Sequence, residues 1–303
     1  MEATTSLGEV CDLVAADGFS QLEAISDLTM AYQYGSMTIV AADGIGCSWM
    51  LVSDEFWTEW ASFDLRALSA SAYPTDAAPP ADWDCSNSRC SYETVSAEWW
   101  YELDVSVVGL TDAAGQRQLA ERFSLIVEDI LDGVSAPPVV QKTALECSAL
   151  SAAIDLQESR WGFSAFTSAE PYESAPWNQI TPVAWELSGA TKCHGQDPAD
   201  TLNASSFFGF TLYPGSIAAY EVCENQTEWS ALEMPAVLSA AVGPWISQSQ
   251  ESCATDGYSA AEFGTPLLPG EAQVLPLEWT SARLDAAGAT LAAVFAAGGD
   301  PQT

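Results

Sequence analysis

Eight cysteines, Cys11, Cys47, Cys85, Cys90, Cys147, Cys193, Cys223 and Cys253, are the residues whose type and spacing point most directly to chemistry. In "DWDCSNSRC" the spacing of Cys85 and Cys90 is too loose for a CxxC redox motif, and no second close pair completes a tetrahedral zinc set. A turn through Ser86 to Arg89 brings the two alpha carbons close enough for a disulfide, which clips the loop to the strand that follows. Sequence order and the division of the chain into halves then suggest Cys11 with Cys47, Cys147 with Cys193, and Cys223 with Cys253. An even, fully pairable set of this size points to an oxidising, extracytoplasmic compartment.

Other chemistries find less support. The one histidine, His194, directly follows Cys193, a poor arrangement for a positioned base beside a nucleophile. No glycine-rich phosphate loop followed by lysine and no dinucleotide fingerprint occurs, so no cofactor is expected. No metal site is expected either, because "DWDCSN" and "DPADTLN" lack the ligand spacing and terminal glutamate of a calcium loop. Carboxylates remain. Glu98, Glu102 and Asp104 surround Trp100 on one strand face, while Asp54, Glu55 and Glu59 flank Trp57 and Trp60. Such clusters suit cation or sugar contact, and a facing pair could serve glycoside hydrolysis, but solvated acidic surface is the simpler account. Trp57, Trp60, Trp100, Glu98 and Glu102 are the candidate ligand-binding residues, and no catalytic residue is assigned.

The charge balance narrows the partners. With 42 carboxylates against eight lysines and arginines, the formal charge of the 303-residue chain is -34, which repels nucleic acid and anionic lipid. No apolar run reaches the roughly 20 residues of a membrane-spanning helix. The opening "MEATTSLGEV" has neither a basic nor an apolar export region, so either the export signal lies outside this sequence, which the cysteines favour, or the protein is cytoplasmic. The triplets "NAS" at 203 and "NQT" at 225 fit glycosylation sequons.

These residues must be positioned by elements that the hydrophobic pattern marks. "CDLVAADGFSQLEAI" carries Leu13, Val14, Phe19, Leu22 and Ile25 on an imperfect helical stripe broken by Gly18. "MTIVAADGIGCSWMLV" reads as two strands around an Asp43-Gly44 turn. "DEFWTEWASFDL" is ambiguous between helix and strand, and Pro74, Pro79 and Pro80 mark an excursion loop. "TVSAEWWYELDVSVV" alternates over its whole length, predicting one long antiparallel strand with a packed face and a wet face, Trp100 being the apolar exception on the wet side. From Thr111 or Asp112 to Leu131, the stripe of Leu119, Phe123, Ile126, Val127 and Ile130 predicts an amphipathic helix.

"SAPPVV" follows as a connector. The fold expected is α+β in two domains, each an antiparallel sheet with packed amphipathic helices and disulfides: 1–133, a linker at 134–146, and 147–303. The second half opens with a helix from Cys147, continues with strand-like "TPVAWELSGA", "FFGFTLY" and "IAAYEVC", and ends in an apolar helical run after a second Asp-Ala-Ala-Gly at 285–288. This order reads as a diverged duplication of the first half.

The Cys11 helix, the Cys47-Ser48-Trp49 stretch and the helix from Thr111 to Leu131 make the first 130 residues or so resemble the domains of actinobacterial envelope lipoproteins of the DUF3558-like group. That resemblance implies attachment outside the cytoplasmic membrane through an acylated cysteine, although no lipobox precedes Cys11, and it brings no active site. The function expected is a noncatalytic extracytoplasmic binding or interaction module, secreted or lipid-anchored, for an unknown protein or glycan of the cell envelope. The alternatives are a carbohydrate-active hydrolase using an Asp/Glu pair and a structural or coat protein.

Overall fold

The computed structural model describes residues 7–25, 27–53, 59–74, 83–86, 88–109, 112–144, 146–148, 165–168, 179–196, 208–216, 218–219, 222, 230–233, 239–242, 249–255 and 260–266. The chain divides into two units that are interleaved in sequence and not simply consecutive on either side of a linker at 134–146: Met1–Val140 with Ser174–Leu187, and Gln141–Glu173 with Ser188–Thr303.

The first unit begins with helix α1 (Leu7–Leu13), which runs through a π-helical turn (Val14–Gly18) and two 3-10 turns (Phe19–Gln21 and Glu23–Ile25). Strand β1 (Thr29–Gly35), helix α2 (Met37–Ala41), β2 (Ile45–Val52), β3 (Trp60–Ser69), β4 (Asp84–Ser86), β5 (Arg89–Val95), β6 (Trp99–Val108) and helix α3 (Ala113–Leu131) follow. The strands form one antiparallel sheet in the order β1-β2-β3-β6-β5-β4. One face carries the main core, where α1, its following turns and α3 cover Trp49, Leu51, Phe63, Leu65, Tyr101 and Leu103. Phe19, Phe63 and Phe123 pack ring to ring there, with centroids 4.9 to 6.4 Å apart. Helix α3 starts where the sequence places it: the Asp112 side chain accepts the Gly115 N–H at 2.9 Å, and Leu119, Phe123 and Val127 are buried.

Two expectations for this unit are corrected. Residues 37–41 form a helix, not the first strand of a hairpin. Asp43 does take a positive φ, +58, but at the end of a helix and not in a hairpin: Ile39 and Met37 are buried and the Val40 N–H returns to the Ser36 carbonyl. Burial on the second sheet face outweighs the strand preference of three β-branched residues. Gly44 permits the tight passage, since a Cβ there would lie 2.4 Å from the Ala67 carbonyl oxygen. The long alternating segment is also not one strand: it turns at 96–98, where the Ser96 N–H donates to the Trp99 carbonyl and the Ser96 hydroxyl accepts the Trp99 N–H. Serine side-chain bonding to its own turn interrupts an alternation that continues on both sides.

The second unit holds a seven-stranded antiparallel sheet, in the order β10-β11-β12-β13-β9-β8-β7. Its strands are β7 (Ala165–Ser168), β8 (Thr191–Gln196), β9 (Phe208–Tyr213), β10 (Ser230–Glu233), β11 (Ser239–Val242), β12 (Ser249–Thr255) and β13 (Ala260–Pro266). "FFGFTLY" accordingly supplies a strand. "TPVAWELSGA" does not: it forms most of helix α4 (Ile180–Ser188), with Pro182 tolerated in the first turn, where its missing N–H leaves no bond unmade. The described part of "IAAYEVC", 218–219 and 222, is helical as well.

Disulfides join Cys11 to Cys47, Cys85 to Cys90, and Cys147 to Cys193, with alpha carbons 5.7, 4.1 and 5.8 Å apart. Cys85 and Cys90 face each other directly across the β4–β5 ladder. Cys223, and with it the fourth pairing, lies outside the described residues, as do both sequons, Pro79 and Pro80, and the expected terminal helix. Among the described residues no helix is long and apolar enough to cross a membrane.

Candidate functional site

The second face of the first sheet, expected to be wet, is covered. Alternation places Ser48, Asp64, Asp104 and Ser91 in one cross-strand row and Gly46, Arg66, Glu102 and Glu93 in the next. Asp104 bridges both arginines, with Oδ2 2.8 Å from Arg66 Nη1 and Oδ1 2.8 Å from Arg89 Nη2. The Ser48 hydroxyl donates to Asp64. Burial raises the Asp64 carboxyl above its ordinary range, against the opposing effects of Ser48 and Arg66.

Further along this face the sheet turns apolar. Ile39, Leu68 and Trp100 pack with Ile180 and Ala184 of α4, and the Trp100 indole donates to Glu93 Oε1 at 2.8 Å. Glu102 joins the charged and apolar regions. Its Oε1 accepts the backbone N–H groups of Gln179 at 2.6 Å and Ile180 at 3.1 Å, capping α4 from outside the helix. Burial pushes its pKa up to about 7, while the two amides and Arg66 pull it down and Glu93 adds to the rise.

The sequence-derived candidates therefore separate. Trp100 is fully buried, an inner side chain with no face open to a ligand, and Glu102 is 3% exposed beside it. Glu98 is exposed in the turn before β6, Trp60 is half-buried at the start of β3, and Trp57 lies outside the described residues. The acids that face each other directly across the ladder are Asp64 with Asp104 and Glu93 with Glu102. Asp104 is held by two guanidiniums and Glu102 by two amides, so neither is free to protonate a leaving group or activate water. Among the described residues no group of three or more His, Cys, Asp or Glu side chains could hold a metal ion.

An open site exists elsewhere in the same unit. A groove of about 790 Å³ runs between the turns after α1 and the outer side of α3. Leu13, Leu22, Ile126 and Ile130 line it, and Leu125, 64% exposed, stands at its edge. Gly18 allows the close approach of the two walls, because a Cβ there would lie 2.9 Å from Ile126 Cγ2. The side chains of Arg122 and Asp129 also line the groove, and neither enters an ion pair with another described residue. They stand seven residues apart on one helix, roughly 10 Å from each other along its axis. In sequence Leu13, Leu22, Ile126 and Ile130 read only as parts of packed helical stripes, so nothing there marks the groove.

No protein-family model matches the chain, and no curated protein does. Two solved structures align along nearly all of it, both at 11% identity. One is the di-domain ARO/CYC BexL from the BE-7585A biosynthetic pathway, with TM-score 0.23, covering 98% of this chain and 97% of that one. The other is the di-domain ARO/CYC StfQ from the steffimycin biosynthetic pathway, with TM-score 0.19, covering 97% and 94%. Scores at this level have no bearing on fold or function.

Proposed function

We propose that the protein is a noncatalytic extracytoplasmic binding module whose contact surface is the groove along α3. The observation that carries this reading is an apolar groove with Leu125 exposed at its edge and the side chains of Arg122 and Asp129 in its lining, neither ion-paired with another described residue. Concave sites of this size with a few polar groups at their margins suit a small ligand or a short stretch of a larger partner. The disulfides fit an oxidising compartment, and the resemblance of the first 130 residues to envelope lipoprotein domains points the same way. A protein or glycan of the cell envelope is the corresponding partner class. The carboxylates that a hydrolase would need are held by arginines and backbone amides, which favours binding over bond cleavage.

A heteronuclear NMR titration of the full chain with a panel of cell-wall glycan fragments and short peptides tests the reading. The expected result is shift changes concentrated at 13–22 and 122–130, abolished by Leu125→Glu. Shift changes confined to other surfaces would refute the assignment of the groove. Hydrolysis of any glycan in the panel, lost in Glu102→Gln, would refute the noncatalytic reading.

A further inference from the structure

Helix α4 belongs to the first unit through its packing, yet the chain on both sides of 174–187 belongs to the second. What fastens this returning segment is therefore a structural question of its own. Its apolar contacts include Ile180 and Ala184, buried against Ile39, Leu68 and Trp100, with Val183 and Leu187 partly buried around them. At its N-terminus the Glu102 carboxyl group meets the first free N–H groups of the helix.

We propose that Glu102 is a proton-operated clasp, which holds residues 179–188 against the sheet more firmly when protonated than when ionised. The geometry supplies the reason. With α4 in place Glu102 is buried, and an ionised carboxylate there has incomplete compensation. Oε1 has two amide donors, but Oε2 is buried without a hydrogen-bond partner. The nearest cation, Arg66, lies 3.9 Å from Oε2 and makes its close contact, 2.8 Å, with Asp104 instead.

The remaining neighbours do not correct the deficit. Glu93 on β5 faces Glu102 across the ladder and is a like charge, while Asp104 on its own strand and Asp64 on β3 are further acids. Arg89 on β5 is paired with Asp104, and Tyr73, in contact with Trp100, adds no positive charge. From α2, Met37–Ala41 brings no ionisable group, and the one ionisable side chain of α4, Glu186, is exposed. When α4 lifts away, the carboxylate regains water and the deficit disappears. Removing the charge, not the segment, is the alternative remedy while the helix remains docked.

The direction follows by linkage. A carboxyl whose pKa is raised in the docked form binds its proton more tightly there, so docking strengthens as pH falls through about 7 toward the ordinary 4.5 and weakens as pH rises through the same window. The separation of those two values sets a ceiling of roughly 300-fold on the change in the docking equilibrium.

Hydrogen exchange of the full chain between pH 5 and 8, corrected for the intrinsic rate at each pH, reads this equilibrium at 179–188, with α3 as an internal control. Protection at 179–188 is expected to rise as the pH falls, more steeply than in α3, and to become independent of pH in Glu102→Gln. Equal slopes in both helices, a flat profile in the native chain, or an unchanged slope in Glu102→Gln would each overturn the proposal. Should Glu102→Gln fail to fold, carboxyl NMR of the native chain decides: a Glu102 midpoint near 7 supports the clasp, and one in the ordinary glutamate range overturns it.

Discussion

Replacing Trp100 separates a structural indole from a ligand platform. The side chain is fully enclosed by Ile39, Leu68, Ile180 and Ala184, its ring lies 5.3 Å from that of Tyr73, and its N–H donates to Glu93 at 2.8 Å. Trp100→Ala removes the whole ring from a closed site and should destabilise the first unit by about 3–5 kcal/mol. Trp100→Phe keeps much of the packing but leaves a buried carboxyl group without its donor, at about 1.5–3 kcal/mol, the range for hydrogen bonds to charged groups. Exchange of the α3 amides as a function of urea reports the stability of the first unit alone, without assuming that both units unfold together. The two variants should rank Ala worse than Phe, and both should lower the protection of 179–188 along with that of α3. A loss below about 1 kcal/mol in Trp100→Ala would mean that the indole is not packed as described, because cavities of this size do not close at so little cost.

Three further outcomes are expected. Asp104→Asn, which removes the shared partner of Arg66 and Arg89, should cost about 3 kcal/mol or more by thermal unfolding, with Arg89→Gln milder because Arg89 is 38% exposed. Loss of the Cys11–Cys47 bridge by paired alanine substitution should cost about 4 kcal/mol, against about 2 for Cys85–Cys90, because the first closes a far longer loop. Denaturation midpoints under nonreducing conditions give the ranking. Asp112→Ala should cost about 1 kcal/mol, seen as lost exchange protection at Gly115, whose N–H the aspartate accepts.

Where local chemistry decides the structure, the sequence was legible. The Asp112 cap, the stripe through Phe123 and the pairings Cys11–Cys47, Cys85–Cys90 and Cys147–Cys193 follow from spacing and order, and each is found. Contacts between distant parts of the chain were not. Glu102 and Asp104 alternate with apolar residues as solvent-facing side chains would, and nothing near them in sequence signals that Arg66, Arg89 and the amides of 179–180 neutralise or bond them. The same holds for 37–41 and 180–188, whose β-branched and aromatic residues suggest strands until their burial on the second sheet face is known. The groove was not legible either, because its walls come from α3 and from the turns after α1, which only the fold brings together.

The return of α4 also bears on the order in which the molecule can be completed. All six strands of the first sheet have been synthesised once Val108 has been added, yet Ile39, Leu68 and Trp100 acquire Ile180 and Ala184 only after the ribosome has moved well into the second half. The nascent protein thus carries a bare apolar strip on a finished sheet while the intervening residues are made. A chain severed at the proline connector would keep that strip permanently, and adding back a peptide spanning 174–188 should cover it and restore solubility.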